Sequence, residues 1–499
     1  MIAVLTGYYL IPGRFQNIFL LIASHVYYMW QITKYGAVVV SCTLFSYALA
    51  LLIAKSGGRK RRLLLALGIV ALAGLLFVYK YLGFTLSVIS GIAGRETPAL
   101  ALVMPLGISF YVFQTIGYLI DVSNKKTEPE RNIATYALFI SFFPQILSGP
   151  IGRAPELLPQ YKEPRRFDYS NITEGLRRFL TGAVRKIVIA DGLGLIVDTV
   201  YSAPGEVGGL SALIATFLYA VQLFFDFAGY SEMAVGCAKM LGIELRENFK
   251  APYFAVSMSD FWRRWHISLT SWLEDYIFIP LVWSRWWDKL FHKKTIDERK
   301  PEVLANIFIV FIISGIWHGA GWNYIIWGAL QGIYRIAEEI SVKKKKRRKL
   351  KDMSKAQVVL ARAKVFFLWS VSLVFFRTAA PGDAFAVFRS LFTADWSPAA
   401  TFRRFMNAAA AGIPNAGLSH QIIFWGLLAV DMWLLYTLDK KINGSLRGKK
   451  MDSVRDPLLS VAQRKRWVIY YVFEISVVLF YIITMTAANG SASFIYFGY

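Results

Sequence analysis

Apolar blocks of near-span length alternate with short basic clusters along this whole chain. Residues 35–54 carry no charge until Lys55, and the block 63–78 begins directly after Arg59-Lys60-Arg61-Arg62. Comparable blocks occupy 99–120, 210–225, 303–317, 365–376, 421–438 and 467–488. A helix needs about 20 mostly apolar residues to cross a bilayer core. The pattern therefore predicts an all-α polytopic membrane protein. The basic clusters at 59–62, 343–351 and 440–466 take the positions of cytoplasmic loops. Threading the chain on them gives about 11 transmembrane helices in a single membrane domain, 1–499. Its parts are N-terminal helices in 1–95, a core in 99–340 and C-terminal helices in 365–499.

One apolar stretch resists simple threading. Residues 133–150 have basic sequence on both sides and end in Pro144, Gly149 and Pro150. A re-entrant segment is expected there, since irregular backbone at membrane depth survives only against protein or a water-filled cavity. Residues 244–300 are mixed in charge, rich in Trp and Arg, and expected to face the cytoplasm.

Composition agrees with the pattern. The 499 residues are 56% hydrophobic with 15 Trp, and the mean hydropathy of +0.44 is too high for an ordinary soluble enzyme. A net charge of +24 would suit nucleic acid. Its confinement to clusters between apolar blocks assigns it to topology instead, and no nucleic-acid partner is expected. The two cysteines, Cys42 and Cys237, imply no disulfide framework. No cleavable signal pattern is present, so the first segment is expected to remain as an anchor.

An ionisable side chain at a span's centre costs about 2.5 kcal/mol or more and is a functional candidate by default. His318 lies in Ser314-Gly315-Ile316-Trp317-His318-Gly319-Ala320-Gly321-Trp322. An unperturbed imidazole can take and return a proton near neutrality. The glycines give close access to the backbone, and Trp317 can shape a pocket, which together suit a general base facing a cavity. A histidine hydrogen-bonded between helices fits the same spacing. His266, in Asp260-Phe261-Trp262-Arg263-Arg264-Trp265-His266, looks interfacial, because Phe261, Trp262, Trp265, Leu269 and Trp272 recur at the spacing of one amphipathic helix. Arg263 and Arg264 either engage an anionic cosubstrate, such as the phosphates of coenzyme A, or snorkel. Asp226, one turn after Gln222, either orients a protonated group, pairs with an arginine or makes a structural hydrogen bond.

Other chemistries find no motif. His25, His266, His292, His318 and His420 form no HxxxH or HxxE pair, so no metal site is expected. A GxSxG elbow, a P-loop and a GxGxxG loop are all absent from the sequence.

Several motifs, taken together and in order, resemble one family. They are Met104-Pro105-Leu106-Gly107-Ile108-Ser109-Phe110-Tyr111, Phe143-Pro144-Gln145 with Ser148-Gly149-Pro150-Ile151, and the stretches 222–232, 260–269 and 317–319. The resemblance is to the membrane-bound O-acyltransferase (MBOAT) family, in its alginate O-acetyltransferase type. The closing Phe494-Ile495-Tyr496-Phe497 is similar to the carboxyl terminus of that type.

That resemblance implies a helix bundle with a central tunnel, in the cytoplasmic membrane of a bacterial cell. It carries the catalytic role onto His318 and the second family histidine onto His266. Asp226, Gln222, Trp317, Asn323, Arg263 and Arg264 become substrate or tunnel-lining candidates, with backbone N–H groups, indoles or Asn323 available to a developing oxyanion. It implies acetyl-CoA or another acyl thioester as donor substrate, and no bound cofactor. An extracytoplasmic polysaccharide and an SGNH-type acyltransferase are the expected partners. The alternative within the family is D-alanyl transfer towards teichoic acid, and outside it a glycan-lipid transporter. Threading sets His318 towards the outer face, whereas a site shared by two substrates belongs inside a tunnel.

Overall fold

The computed structural model describes residues 1–30, 33–98, 102–203, 205–284, 300–344, 353–393, 395–413, 417–445 and 461–485. The motif at 494–497, His292, and most of the 343–351 and 440–466 clusters lie outside the described residues. Within them every regular element is helical. Among the described residues six helices are long and apolar enough to cross a membrane: Tyr35–Lys55, Gly58–Ile92, Gly209–Met240, Lys355–Arg377, Leu418–Ser445 and Gln463–Thr484. Glu302–His318 is a shorter apolar helix. Other threaded segments fall on shorter pieces, such as Gln16–Met29 with 14 residues and Ile108–Ser123 with 16.

The chain divides into two units. The first comprises Met1–Phe179 with Ser231–Glu247. Here the sequence at 133–150 is helical only over Ile133–Ser141 and then irregular to residue 153, with Phe142, Gln145, Ile146 and Ser148 buried. Buried irregular backbone needs partners for its polar groups. Gln145 Nε2 donates to Gln114 Oε1 at 3.0 Å and to the Phe139 carbonyl at 3.2 Å, and Gln114 donates to the same carbonyl. Gly107 begins the Ile108–Ser123 helix at φ +71°, and a Cβ there would meet the Ile146 carbonyl oxygen at 2.1 Å. Only glycine permits both the left-handed conformation and that approach. In the same unit Arg178 forks onto Glu247 through two 2.7 Å bonds and reaches Glu232 at 2.9 Å. Such bidentate pairs fix orientation as well as charge.

The second unit comprises Leu180–Tyr230 and the chain from Asn248 on. Its core is fully buried around Tyr219, Phe224, Phe261, Trp327, Trp369 and Phe424. Lys300–His318 and Trp322–Lys344 form a tight helical hairpin across the Gly319–Gly321 turn. Small residues set its closeness: a Cβ on Gly315 would lie 2.2 Å from the Tyr324 carbonyl oxygen, and one on Gly328 2.4 Å from that of Phe311. Close backbone approach at small residues is a general device of membrane helix pairs.

Candidate active site

His318 is the last residue of the Lys300–His318 helix, where the carbonyl ends of the helix are directed at it. It is only 8% exposed. Three aromatic rings meet it edge-on: Trp317 at 4.9 Å, Trp327 at 5.0 Å and Phe376 at 5.3 Å between centroids. Trp327 comes from the other arm of the hairpin and Phe376 from the end of Lys355–Arg377. Such T-shaped contacts fix a ring plane by its quadrupole as well as by packing.

His266 reaches the same place by a different route. Its backbone is left-handed, φ +44° and ψ +52°, a conformation few non-glycine residues adopt, although histidine tolerates it better than most. The strain is held by neighbours. The Ile267 amide donates to the Asn248 carbonyl at 2.9 Å, and the Ser268 hydroxyl donates to Asn248 Oδ1 at 2.6 Å. Two residues before His266, the Arg264 carbonyl accepts from the Lys250 amide at 3.0 Å. The His266 ring packs edge-on against Phe227 at 4.6 Å and Trp317 at 5.9 Å. Trp317 therefore touches both histidines, and the two converge on one indole. Strained backbone of this kind clusters at functional sites.

This corrects the interfacial placement of His266, which is 1% exposed. The single amphipathic helix expected across 260–280 is broken into Met258–Trp262 and Ile267–Leu273. Phe261, Trp262, Trp265, Leu269 and Trp272 all point inward, and Trp369 lies within 6 Å of the first three. Helical spacing persists across a short break, which is why periodicity alone does not reveal it. Burial drives the His266 pKa down to about 3, so its ring stays neutral.

The remaining candidates divide. Arg264 is directed at Asp260 (2.9 Å) and Asn443 (3.1 Å) and has a side chain only 10% exposed, whereas the Arg263 side chain is 63% exposed. Asn323 directs its amide hydrogens at Thr378, tying the head of Trp322–Lys344 to the end of Lys355–Arg377. Asp226 pairs with a lysine rather than an arginine: Lys186 Nζ donates to it at 2.6 Å and to Asp191 at 2.8 Å. Gln222, one turn away, packs on Gly194. Among the described residues no group of three or more His, Cys, Asp or Glu is placed to hold a metal ion.

The model of the membrane-bound O-acyltransferase family matches residues 129–377, a stretch that holds both histidines, Trp317, Asn248 and Asp226. The chain belongs to the membrane-bound O-acyltransferase family. Membership makes this acyltransferase a membrane enzyme by class. A probable alginate O-acetylase of Pseudomonas putida is 36% identical over 340 residues, covering 66% of this chain and 67% of the relative. A peptidoglycan O-acetyltransferase of Helicobacter pylori is 34% identical over 359 residues, with 66% of each covered. A teichoic acid D-alanyltransferase of Bacillus subtilis is 32% identical over 232 residues, covering 46% of this chain and 57% of the relative. The acyltransferase thus spans about two thirds of the length of the acetylases it matches.

Sequence reasoning missed Lys186, Asn248 and the ring of Trp327, Trp369 and Phe376. Lys186 had a signal, since it and Arg185 are adjacent cations in apolar sequence that demand counter-charges. Asn248 had none, since its role depends on contacts with residues about twenty positions later.

Proposed function

We propose that this acyltransferase passes an acyl group, acetyl in the first place, from a cytoplasmic thioester donor to a hydroxyl of an extracytoplasmic polysaccharide or of a relay partner. The observation that carries the proposal is the convergence of His318 and His266 on Trp317 inside a buried aromatic enclosure. The acceptor hydroxyl gives its proton to His318 as its oxygen attacks the thioester carbonyl. The tetrahedral adduct then collapses, the C–S bond breaks, and the imidazolium returns the proton to the leaving thiolate. His266, neutral throughout, serves as a hydrogen-bonding group towards the oxyanion rather than as a second base. Arg263, exposed beside this segment, is the arginine suited to an anionic portion of the donor.

Acetyl transfer is preferred because the acetylases match a longer stretch of the chain, at higher identity, than the D-alanyltransferases do. An SGNH-type partner would receive the acyl group where the polysaccharide itself does not enter. The deciding experiment is His318→Ala in cells, with insertion checked by membrane fractionation and ester released by mild alkali. Loss of acetate, with the protein still in the membrane, is expected. Full acetylation by the inserted variant overturns the assignment, and release of D-alanine instead of acetate moves it to aminoacyl transfer.

A further inference from the structure

Two short helices, Pro381–Thr393 and Pro398–Ala411, connect the spans Lys355–Arg377 and Leu418–Ser445. The first span begins just after the basic cluster 343–351, and the second runs into the cluster 440–466. Such clusters mark the cytoplasmic side, so residues 378–417 stand on the other face of the membrane. Arg403 and Arg404 run against that bias. Besides Arg389 they are the only basic residues of the segment, and outward loops do not need arginine to fix topology. A role other than topology is required for the pair.

Their surroundings supply one. Ala400, Arg403, Arg404, Asn407, Ala408 and Ala411 follow at helical spacing and form one stripe of Pro398–Ala411. With Thr199 of Asp191–Tyr201 opposite, the stripe lines an open groove of about 600 Å³. The groove is a built feature. The Gly209 amide donates to the Asp395 carbonyl at 2.8 Å, and the Ser211 and Thr401 hydroxyls share a hydrogen bond at 3.0 Å. Among the described residues neither arginine has an acidic partner. Glu206 and Asp395 line the adjoining pocket of about 240 Å³, which only Arg404 of the two reaches. An anion is therefore favoured at the Arg403 end, away from both acids.

Depth in the membrane narrows the anion. Phe385, Phe392 and Phe402 are exposed on these two helices, and Phe385 and Phe392, seven residues apart, share a face. Exposed aromatics on short amphipathic helices belong in the head-group layer. At that level the abundant anion is a lipid phosphate. We infer that the groove seats an anionic phospholipid of the outer leaflet, its phosphate gripped by Arg403 and Arg404. Guanidinium forks match a phosphodiester's two free oxygens, and Asn407 adds an N–H donor one turn further on. Alanines at 400, 408 and 411 leave an apolar floor for the first methylenes of a chain. Two cations disfavour the ammonium of a zwitterionic head. A seated lipid bridges Pro398–Ala411 to Thr199, next to Asp198, which holds Arg377 at 2.6 Å. Phe376, the neighbour of Arg377, packs on His318, so the lipid braces the outer end of the site.

Native mass spectrometry of the full chain, titrated with phosphatidylglycerol or phosphatidylcholine of equal chain length, tests this. The wild type should prefer phosphatidylglycerol by about tenfold or more, the order expected of two arginines facing an anionic head group. Arg403→Gln combined with Arg404→Gln should bring the two lipids close to parity. Replacing both by lysine keeps the charge but loses the fork, and should retain part of the preference. Ala411→Leu, which fills the floor without changing charge, should weaken phosphatidylglycerol. Arg59→Gln with Arg62→Gln removes the same charge from the cytoplasmic cluster and should leave the preference intact. Equal wild-type affinity for both lipids overturns the inference, as does a preference that survives the double glutamine change. An equal loss in the cytoplasmic pair also overturns it, by showing diffuse attraction in place of a seat. Binding of a soluble polyuronate that depends on Arg403 and Arg404, with phosphatidylglycerol binding unaffected by them, would give the groove to a glycan instead.

Discussion

Replacing His266 with asparagine removes a buried, neutral imidazole while keeping a residue that tolerates a left-handed backbone. The consequence is a change in how stability depends on pH. An unfolded histidine titrates near 6.5, and burial lowers the folded value to about 3. Between those values the unfolded chain holds one proton that the folded chain does not. Stability therefore falls as pH drops below about 6.5 and stops falling on this account near pH 3. At pH 5 the unfolded imidazole lies about 1.5 units below its pKa, and linkage gives a loss of about 2 kcal/mol relative to neutrality, to order of magnitude. The packing lost with Phe227 and Trp317 adds an offset that does not vary with pH, so only the slope matters. Equilibrium unfolding in mixed SDS micelles, followed by tryptophan fluorescence from pH 7 to 5, measures it. The wild type should lose about 2 kcal/mol more than His266→Asn over that interval. Parallel slopes would refute the buried, neutral assignment, and with it the oxyanion role given to this ring.

Two further outcomes bear on the frame of the site. Lys186→Met leaves Asp226 and Asp191 without their shared cation and is expected to cost about 3–5 kcal/mol, whereas Lys186→Met combined with Asp226→Leu should cost less than the single change. The same unfolding assay reads this, and simple additivity of the two would disprove the pairing. Gly315→Ala places a Cβ 2.2 Å from a backbone oxygen that cannot rotate away, so about 1–3 kcal/mol or more should be lost. Gly74→Ala, where nothing lies within 4 Å, should be neutral or slightly stabilising. Equal thermal midpoints for the two alanine variants would mean the hairpin is looser than described.

Much of the architecture is legible in local pattern. The blocks at 210–225, 303–317 and 365–376 became parts of the helices Gly209–Met240, Lys300–His318 and Lys355–Arg377, because an uninterrupted apolar run in a membrane satisfies its backbone most simply as a helix. The glycines around Trp317 and His318 were legible as close-approach positions, and Gly315 is one. The site itself was half legible. His318 stood out as an ionisable group at the end of an apolar block, while the depth of His266 did not. Arg263 and Arg264 are neighbours of identical type, yet one is solvated and the other is locked to Asp260 and Asn443.

By itself the sequence determined the class of the protein, the places where helices form and the two histidines that could carry chemistry, since hydropathy and residue type are properties of the chain. Only the tertiary structure decided that His266 turns inward through a strained backbone held by Asn248, that Trp317 joins it to His318, and that Asp226 is answered by Lys186 forty residues earlier. A buried polar group is satisfied by whatever the fold brings within about 3 Å of it. For these residues that neighbour is remote in sequence, and no local period records it.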